Sequence, residues 1–332
     1  MVLIQYNIFA FTSLLIVSFY ISLCILLLAF FRKKILTKQK AKLLYAISII
    51  IAVRSLLVIN IHILTEAMKR YITTITYVQN YMHTRGVGRV VRWMNRQNYL
   101  GLLQYIWILG MICITIYYLT KYIAFHKTLH RLKINLDDSR INEVLKKQKQ
   151  LLQIHNTPKI YVVNGLGSPM LVGIYNPQII LPKTDYSIHE LEYIFRHELI
   201  HFKRKDNLIK LLVTLVTIIH WFNPCIYVLR KLCNDVCELS CDESVIRTLN
   251  HNEKQKYSLL LLKTVRHTNK LASSMGISYL NTNTAPLTKY RIERMFTPVK
   301  YKDRTIIMCM IICTLMIFTM FSSSWITFAN WQ

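Results

Sequence analysis

The sequence predicts an α+β membrane protein with four transmembrane helices and one water-soluble domain that contains a small antiparallel sheet. Two observations support this prediction. Hydrophobic residues make up 53% of the 332 residues and collect in four long blocks, whereas fifteen of the sixteen acidic residues lie between Asp137 and Asp303. Such segregation separates the lipid-facing parts of a chain from its water-facing parts. Short apolar runs between turn residues in the acidic segment indicate the sheet.

The apolar blocks are close to the length that crosses a bilayer, which takes about 20 residues. The first block is followed by Arg32, Lys33 and Lys34 and preceded by an uncharged N-terminus. A secretory signal has the opposite polarity, so we expect this block to be a retained span. We expect a three-span N-terminal membrane domain (1–123), with spans at 8–31, 43–64 and 99–119, and a C-terminal span at 305–329 within 305–332.

Basic residues near the ends of spans predict the orientation of the chain. Thirteen lysines and arginines lie in the segments 32–42, 121–133 and 300–304, which share one side of the membrane if the N-terminus is outside. The other side carries six, all in the loop 66–98. We therefore expect both termini outside the cell, this basic loop extracellular, and the domain 124–304 in the cytoplasm.

Two basic features need a separate interpretation. Arg89, Arg92 and Arg96 recur at helical spacing, which is typical of an amphipathic helix on a membrane surface, although an ordinary basic loop would show the same residues. Arg54 lies near the middle of the second block, where a charge is costly and usually faces the bundle interior or a wet cavity. Its role, structural or functional, stays open.

The net charge of +26 is at first sight that of a nucleic-acid binder. However, basic residues beside spans are explained by orientation and by attraction to lipid headgroups. The sequence contains no helix-turn-helix or zinc-finger spacing, so we expect no direct nucleic-acid binding. Eight cysteines in 332 residues also exclude a small secreted domain held by disulfides.

The acidic segment reads as one domain of normal size, 124–304. It begins with a helical stretch over 138–155, rich in lysine and glutamine. Short apolar runs at 159–163, 170–174 and 178–181 follow, punctuated by glycine, asparagine and proline. Runs of this kind predict the strands of the small antiparallel sheet.

The next helix contains the residues that indicate chemistry. Ser187 and Glu190 form an S-x-x-E capping box, which predicts the helix start. Within the helix lies the sequence His197-Glu198-Leu199-Ile200-His201. Residues four apart share one helix face, so both imidazoles can bind one metal ion. Glu198 is then placed to take a proton from water that the metal activates.

A metallopeptidase site of this kind needs a third protein ligand. Glu238 is a candidate, and Asp242 lies one turn later on the same helix face, where it could hydrogen-bond a ligating histidine. Three cysteines compete for the role of ligand, although cysteine on a helix face is more often a small buried apolar residue. They are Cys233, Cys237 and Cys241.

The apolar stretch 208–229 lies between the two groups of ligands and is nearly long enough to span. A clean crossing would place Glu238 on the opposite side of the membrane from His197. We therefore expect the stretch to bury itself in the domain, or to dip into the membrane and return. The sequence His-Trp-Phe-Asn-Pro at 220–224 predicts the break, because proline disrupts helical hydrogen bonding.

At these positions the chain resembles the integral-membrane zinc metallopeptidases of the BlaR/MecR antirepressor type. The motifs occur in the family's order over about 159–295, and the flanking spans also agree. The matching residues are Val172-Gly173-Ile174, Pro177 to Pro182, His197 to His201 followed by Asp206, Trp221-Phe222-Asn223-Pro224, Glu238 with Asp242, and Arg291-Ile292.

The resemblance implies a gluzincin-type metallopeptidase domain with one Zn²⁺ per chain. It implies three zinc ligands (His197, His201 and Glu238), one catalytic base (Glu198), two acidic residues behind the ligands (Asp242 and Asp206), and a structural or substrate-side arginine (Arg291). It also implies a multi-pass protein of a bacterial plasma membrane that cleaves a cytoplasmic protein. In the family such cleavage follows an outside signal and leads to inactivation of a transcriptional repressor, here expected to be a small winged-helix protein.

One departure from the family pattern affects the expected signal. The antibiotic sensors continue after the last span into an extracellular penicillin-binding domain, whereas this sequence stops at Gln332. We therefore expect no β-lactam acylation by this chain. Sensing would then use the loop 66–98, the spans, a homodimer contact or another protein.

Further points stay open at this stage. A peptide substrate could add to the edge of the predicted sheet as an extra strand. The residue that stabilises the oxyanion is not identified; His251, Tyr257 and His267 are candidates. A housekeeping membrane protease would share the same core motif, and a non-enzymatic membrane receptor is the alternative of another class.

Overall fold

The structure is a computed structural model that describes the residues 2–36, 41–56, 87–136, 138–275 and 284–297. The predicted C-terminal span lies outside the described residues. So do residues 57–86, which hold the end of the second predicted span and most of the basic loop.

Within these segments the chain forms nine helices and four strands. The helices are α1 (Val2–Leu36), α2 (Ala41–Leu56), α3 (Val87–Leu132), α4 (Ser139–Leu151), α5 (Ile188–Arg204), α6 (Asp206–Ile219), α7 (Pro224–Ile246), α8 (His251–Met275) and α9 (Thr284–Phe296). The strands are β1 (Lys133–Asn135), β2 (Lys159–Val163), β3 (Met170–Val172) and β4 (Gln178–Pro182).

The first and third predicted spans lie within α1 and α3, and the described part of the second, 43–56, lies within α2. Among the described residues, Leu102–Leu132 of α3 is long and apolar enough to cross a membrane, as judged by length and composition, and 6% of its apolar window is buried. A shorter apolar helix covers Val17–Arg32 of α1. The arginine-rich segment that begins at Val87 continues into α3 without interruption. The four-span arrangement itself stays a prediction.

The four strands form one mixed sheet in the order β1-β2-β4-β3. The outer pairs are antiparallel, but β2 and β4 are parallel, with Lys159 opposite Gln178. The predicted antiparallel sheet was therefore wrong at its centre, and β1 was not predicted. The physical reason lies in β4, where Ile179, Ile180 and Leu181 are all buried. A continuous apolar run is typical of a strand covered on both faces, as parallel strands usually are.

The edge strand β3 ends before the predicted residue 174. Gly173 has a φ of +94°, a left-handed conformation that residues with a Cβ rarely adopt. A Cβ at Gly173 would lie 2.5 Å from the carbonyl oxygen of Asn176. The chain therefore turns at this glycine, and β3 presents a short edge with α5 packed beside it.

Helix α7 contributes to two apolar cores. Its first half, which includes Leu229 and Val236, packs with residues of α1, α2 and α6. Its second half, which includes Val245, packs with Phe195 and Leu199 of α5 and with the sheet. The predicted membrane helices and the predicted catalytic domain are thus joined along one helix, and Glu238 lies where α7 passes from one core to the other.

The apolar stretch 208–229 is broken as the sequence predicts. Helix α6 ends at Ile219, and the Asn223 side chain accepts a hydrogen bond from the Cys225 amide (2.9 Å), which caps α7 just before Pro224. Proline suits this position, because backbone N–H groups in the first turn of a helix have no hydrogen-bond acceptor within the helix, so the missing N–H of proline costs no hydrogen bond. The resulting α6–α7 hairpin returns Glu238 to the helix that carries the two histidines.

The tip of this hairpin is hydrogen-bonded to all three N-terminal helices. The Asn223 amide donates to Ser18 Oγ (2.7 Å) in α1, and His220 Nε2 lies 3.0 Å from the Ser55 carbonyl oxygen in α2. Trp107 of α3 donates to the last carbonyl of α6 (2.9 Å). Buried polar groups of a turn need such contacts, since an unpaired one costs about 1–3 kcal/mol.

The start of helix α5 depends on a charge that responds to pH. The Ser187 hydroxyl accepts from the Glu190 amide, the Glu190 carboxylate accepts from the Ser187 amide, and Lys263 of α8 lies 2.8 Å from the same carboxylate. Burial alone would raise the pKa of Glu190, but the hydrogen bonds from Lys263 and Ser187 outweigh it and lower this pKa.

We predict that Glu190→Gln lowers the free energy of unfolding by about 1 kcal/mol at pH 7, because glutamine still accepts from the Ser187 amide but loses the ion pair with Lys263. Because the folded pKa is lowered, this contribution is present above the ordinary glutamate pKa of about 4.3 and is lost as pH falls through the folded value. Denaturant unfolding of the full chain in detergent at pH 7 and at pH 3 measures it.

Glu293→Gln is the matched control, because it removes the same charge from an exposed α9 pair with Lys289 at 3.9 Å. We expect an effect of about 0.3 kcal/mol for such a pair. A Glu190→Gln effect that is equally small, or that persists unchanged at pH 3, would show that the charge of Glu190 does not stabilise the start of α5.

Candidate metal centre

Helix α5 places the two motif histidines on its buried side. His197 and His201 are one turn apart, and their Nε2 atoms lie 3.1 Å from each other. The predicted capping box is confirmed at the start of this helix. At its end, Lys205 adopts a left-handed conformation (φ 56°), so that α6 begins at once and Asp206 turns back toward His201.

Helix α7 brings a carboxylate to the same point. Glu238 Oε2 lies 3.4 Å from His197 Nε2, and Glu238 Oε1 lies 3.7 Å from His201 Nε2. Ligand atoms at about 2.0–2.2 Å from a tetrahedral metal ion are separated by roughly 3.4 Å. The three separations of 3.1, 3.4 and 3.7 Å therefore suit one small divalent ion held by two imidazoles and a carboxylate.

Cysteine is the competing ligand type, and the structure separates the three candidates. The thiol of Cys241 lies within 4.8 Å of ring nitrogens of both histidines, and it donates to the His197 carbonyl oxygen at 3.4 Å. Cys237 lies on the other side of His201, 3.8 Å from Nδ1. Cys233 is buried in the core shared with α1 and α2. Of these three cysteines, Cys241 is therefore the one placed to serve as a ligand in the position of Glu238.

The second nitrogen of His201 is held by a buried carboxylate. His201 Nδ1 lies 2.6 Å from Asp206 Oδ2, and Arg204 Nη2 donates to the same oxygen at 2.6 Å. Arg204 also donates to Ser240 Oγ of α7 (2.8 Å). A carboxylate at Nδ1 fixes the ring orientation and leaves Nε2 for a metal. Because Arg204 already neutralises Asp206, the group formed by His201, Asp206 and Cys237 is a poorer cation site.

The second nitrogen of His197 is held through a tyrosine. His197 Nδ1 lies 3.0 Å from the Tyr257 hydroxyl, which donates to Asp242 Oδ1 at 2.8 Å; the direct distance from Nδ1 to Asp242 is 3.5 Å. Arg291 donates two hydrogen bonds to Asp242, at 2.6 and 2.9 Å, and its Nη1 lies 3.5 Å from Glu238 Oε2. Arg291 thus contacts the two carboxylates of α7, as expected for the first of its two predicted roles, structural or substrate-side.

The charges of the cluster favour a cation between the three side chains. Burial would lower the pKa of His197, but the nearby Cys241 and Glu238 raise it to about 10. Burial would raise the pKa of Glu238, but His201, His197 and Arg291 hold it well below its usual range. Burial would likewise raise the pKa of Asp206, which His201 and Arg204 instead lower to about 2. A proton and a metal ion compete for a centre of this kind.

The catalytic base proposed from the sequence lies beside this centre. Glu198 follows His197 in α5 and is 6% exposed. Lys210 of α6 is close by: desolvation would lower its pKa, but the charges of Glu238, Cys237 and Glu198 raise it. Lys210 lies one helical turn after Asp206. It falls within the apolar stretch 208–229, so sequence spacing did not connect it with the site.

The three residues considered for stabilising the oxyanion lie in different surroundings. The hydroxyl of Tyr257 is fully buried and is engaged by His197 and Asp242. His251 is exposed, and its ring packs 5.6 Å from that of Phe296. The side chain of His267 lies outside those described. The Tyr257 hydroxyl therefore contacts a histidine, and sequence spacing does not show this contact because it joins two separate helices.

The edge of the sheet beside the centre is contacted by a side chain. Asn207 of α6 donates to the carbonyl oxygens of Leu171 (3.2 Å) and Gly173 (3.0 Å) on β3. Since β3 pairs with β4 along its other side, these carbonyls belong to its open edge. The Asn207 amide occupies acceptors that an added peptide strand would otherwise use.

Comparison with known proteins assigns the chain to a family. The family model described as BlaR1 peptidase M56 matches residues 9–295. The methicillin resistance mecR1 protein of Staphylococcus aureus is 30% identical over 193 residues, which is 56% of this chain and 32% of the relative. The regulatory protein BlaR1 of Bacillus licheniformis is 31% identical over 160 residues, or 48% of this chain and 26% of the relative.

The regulatory protein BlaR1 of Staphylococcus aureus is 27% identical over 168 residues, or 48% of this chain and 28% of the relative. The chain thus spans about a third or less of the length of these curated relatives. The family match covers far more than half of the chain, including the helices that carry both histidines and Glu238. The chain is a member of the BlaR1 peptidase M56 family.

Proposed function

We propose that the chain is a membrane-bound zinc-dependent endopeptidase of the gluzincin type. His197, His201 and Glu238 would hold one Zn²⁺, and Glu198 would serve as the catalytic base. The observation that carries the proposal is the set of four donor atoms formed by the Nε2 atoms of His197 and His201 and the two oxygens of Glu238, which are separated by 3.1, 3.4 and 3.7 Å. The Nδ1 atom of each histidine is already engaged by another side chain. Two imidazole nitrogens and one carboxylate are typical protein ligands of a catalytic zinc ion. The fourth coordination position would then be open to water or substrate.

The roles of the side chains follow from their positions. When bound, the ion would act as a Lewis acid and bring the pKa of a water molecule toward about 7. Glu198 would accept a proton from that water and deliver it to the departing amine. Asp206, and Tyr257 with Asp242, keep the two imidazole rings oriented, while Arg291 balances the charge of the acidic residues.

The family gives this peptidase domain a place beside a membrane, and the hairpin contacts support it. Ser18, Ser55 and Trp107 each lie inside a predicted span, and each contacts the tip of the α6–α7 hairpin. If those spans cross the bilayer, the hairpin tip enters it too. The basic-residue bias then favours both termini outside and a cytoplasmic active site in a bacterial plasma membrane.

The biological role proposed is that of a signal-transducing antirepressor. Relatives named as a methicillin resistance protein and as regulatory proteins support a regulatory rather than a digestive role. The substrate would be a cytoplasmic protein such as a small winged-helix repressor. The active chain would be a monomer or a homodimer in the lipid membrane, and it would not bind nucleic acid itself. A housekeeping protease and a non-enzymatic receptor are the alternatives that the following experiments separate.

We predict that Glu198→Gln lowers the rate constant for peptide cleavage about 10²–10⁴-fold, the usual contribution of a general base, while bound zinc is retained. Cleavage in membranes and metal content of the purified chain measure the two effects. The control is Glu192→Gln, which removes the same charge from the same helix at an exposed pair with Lys147. Unchanged cleavage by Glu198→Gln would remove the enzymatic assignment.

The same variant distinguishes the substrates. An inactive Glu198→Gln chain should retain its substrate, so that cross-linked complexes can be captured from cells. Capture of one DNA-binding protein supports the antirepressor role, whereas many damaged proteins would favour housekeeping. A wild-type chain that carries zinc and cleaves nothing in membranes would favour the receptor.

We predict that Asp206→Asn weakens zinc affinity about 10–100-fold, the usual effect of removing a partner of a ligating histidine. Competition with a chromophoric chelator measures the affinity. Asp235→Asn is the control, since it removes a carboxylate from α7 that pairs with Arg32 (2.8 Å) outside the metal centre. Equal affinities of the two variants would show that Asp206 does not orient His201 for metal.

The open edge of β3 supports an extended peptide as substrate. A strand added there would hydrogen-bond the carbonyls of Leu171 and Gly173, and Asn207 competes for them. We predict that Asn207→Ala lowers KM about fivefold, because one hydrogen bond is worth about 1 kcal/mol, and leaves kcat unchanged. Thr214→Ala on the exposed part of the same helix is the control. A raised KM would instead make Asn207 a substrate contact.

A further inference from the structure

Helix α2, which coincides with the second predicted span, reaches the metal centre with one side chain. Tyr45 is 7% exposed, and its hydroxyl donates to Asp206 Oδ1 at 2.9 Å. Asp206 itself is 0% exposed. Because water does not reach this carboxylate, the hydrogen bond from Tyr45 has no solvent substitute, and its loss leaves a buried acceptor underused.

The two oxygens of Asp206 face in different directions. Oδ2 lies 2.6 Å from His201 Nδ1, whereas Oδ1 accepts the hydrogen bond from Tyr45 at 2.9 Å. Arg204 Nε donates longer hydrogen bonds to both oxygens, at 3.2 and 3.1 Å. The guanidinium group of Arg204 donates to Asp206 and also lies over the Tyr45 ring, 4.9 Å from its centre. The tyrosine therefore contacts the Asp206 carboxylate and also the guanidinium group that helps to hold this carboxylate.

The register of α2 against the hairpin determines where Tyr45 lies. At the start of α2, the Ala41 amide donates to Glu243 of α7 (3.1 Å), and near its end the Ser55 carbonyl faces His220 (3.0 Å). Between these two contacts α2 packs against α6 and α7 through buried apolar side chains. A shift of the helix along this surface would move Tyr45 relative to Asp206.

We propose that Tyr45 is a positioning residue through which the register of α2 sets the orientation of the His201 imidazole. The inference rests on the proposed function in one respect, namely that His201 is a metal ligand. Hydrogen bonds weaken steeply beyond about 3.2 Å, and helix shifts in switching proteins are about 1–2 Å. A displacement of α2 of that size would release Asp206 and loosen the ring that holds the ion.

This device would give the peptidase a route for regulation. A signal that displaces α2 alters the metal centre without touching a ligand, and metal binding in turn favours the register that engages Tyr45. Such reciprocity is required whenever two sites are coupled.

The test compares Tyr45→Phe with Ser55→Ala in the full chain in detergent. The first removes the hydroxyl but keeps the ring under Arg204. The second removes a buried hydroxyl of the same helix that, among the described residues, bonds within the helix to the Ile51 carbonyl (2.7 Å). Zinc affinity is measured by chelator competition, and the visible spectrum of the Co²⁺-loaded chain reports the ligand geometry.

We predict that Tyr45→Phe weakens zinc affinity about 3–10-fold, less than a direct partner of the histidine, and alters the Co²⁺ spectrum. Ser55→Ala should remain within about twofold of wild type, and the melting temperatures of the two metal-free variants should be similar. Equal affinities of Tyr45→Phe and wild type, or equal losses in both variants, would overturn the proposal.

A double-mutant cycle tests whether Asp206 carries the effect. If Tyr45 acts through this carboxylate, Tyr45→Phe should change the zinc affinity of Asp206→Asn by less than twofold, because coupled residues are not additive. Fully additive losses would overturn the route. A wild-type chain that takes up no divalent metal overturns the proposed function as well, whereas normal metal binding without a Tyr45 effect overturns this inference alone.

Discussion

The candidate metal centre depends on a buried electrostatic balance between helices α5 and α7. Bringing Glu238 next to two imidazoles places several ionisable groups in an apolar interior, where an unpaired charge is very costly. The structure offsets this cost by pairing: Arg291 faces Asp242 and Glu238, and Arg204 faces Asp206. Removal of one member of such a pair usually costs more than the pair contributes, since the other charge stays buried.

The same balance explains the position of the site in the fold. Helix α7 carries Glu238 at the junction of two apolar cores, one shared with α1 and α2 and the other with α5 and the sheet. The α6–α7 hairpin is held at its tip by polar contacts to α1, α2 and α3. The ligand set is therefore assembled from elements that the N-terminal helices also hold.

Much of the site could be predicted from local sequence. The S-x-x-E box, the H-E-x-x-H spacing and the proline break act within a few residues, where helix geometry alone dictates which side chains share a face. The carboxylates Glu238, Asp242 and Asp206 were also identified, the last by resemblance alone. The sequence did not reveal Arg204 or Tyr45 as parts of the centre, because their contacts join positions far apart in the chain or act across a sharp helix junction.

The sheet shows the same division. Runs of β-forming residues at 159–163 and 178–182 predict two strands without reference to their neighbours. The parallel pairing of β2 and β4 depends instead on the elements that cover both faces of β4. By itself, then, the sequence determined the helix with its two histidines, the return of the chain at 220–224 and the chemistry of the ligand atoms. Only the tertiary structure decided which strands pair and which carboxylate meets each imidazole, because burial of charge and of apolar surface is settled between elements and not within them.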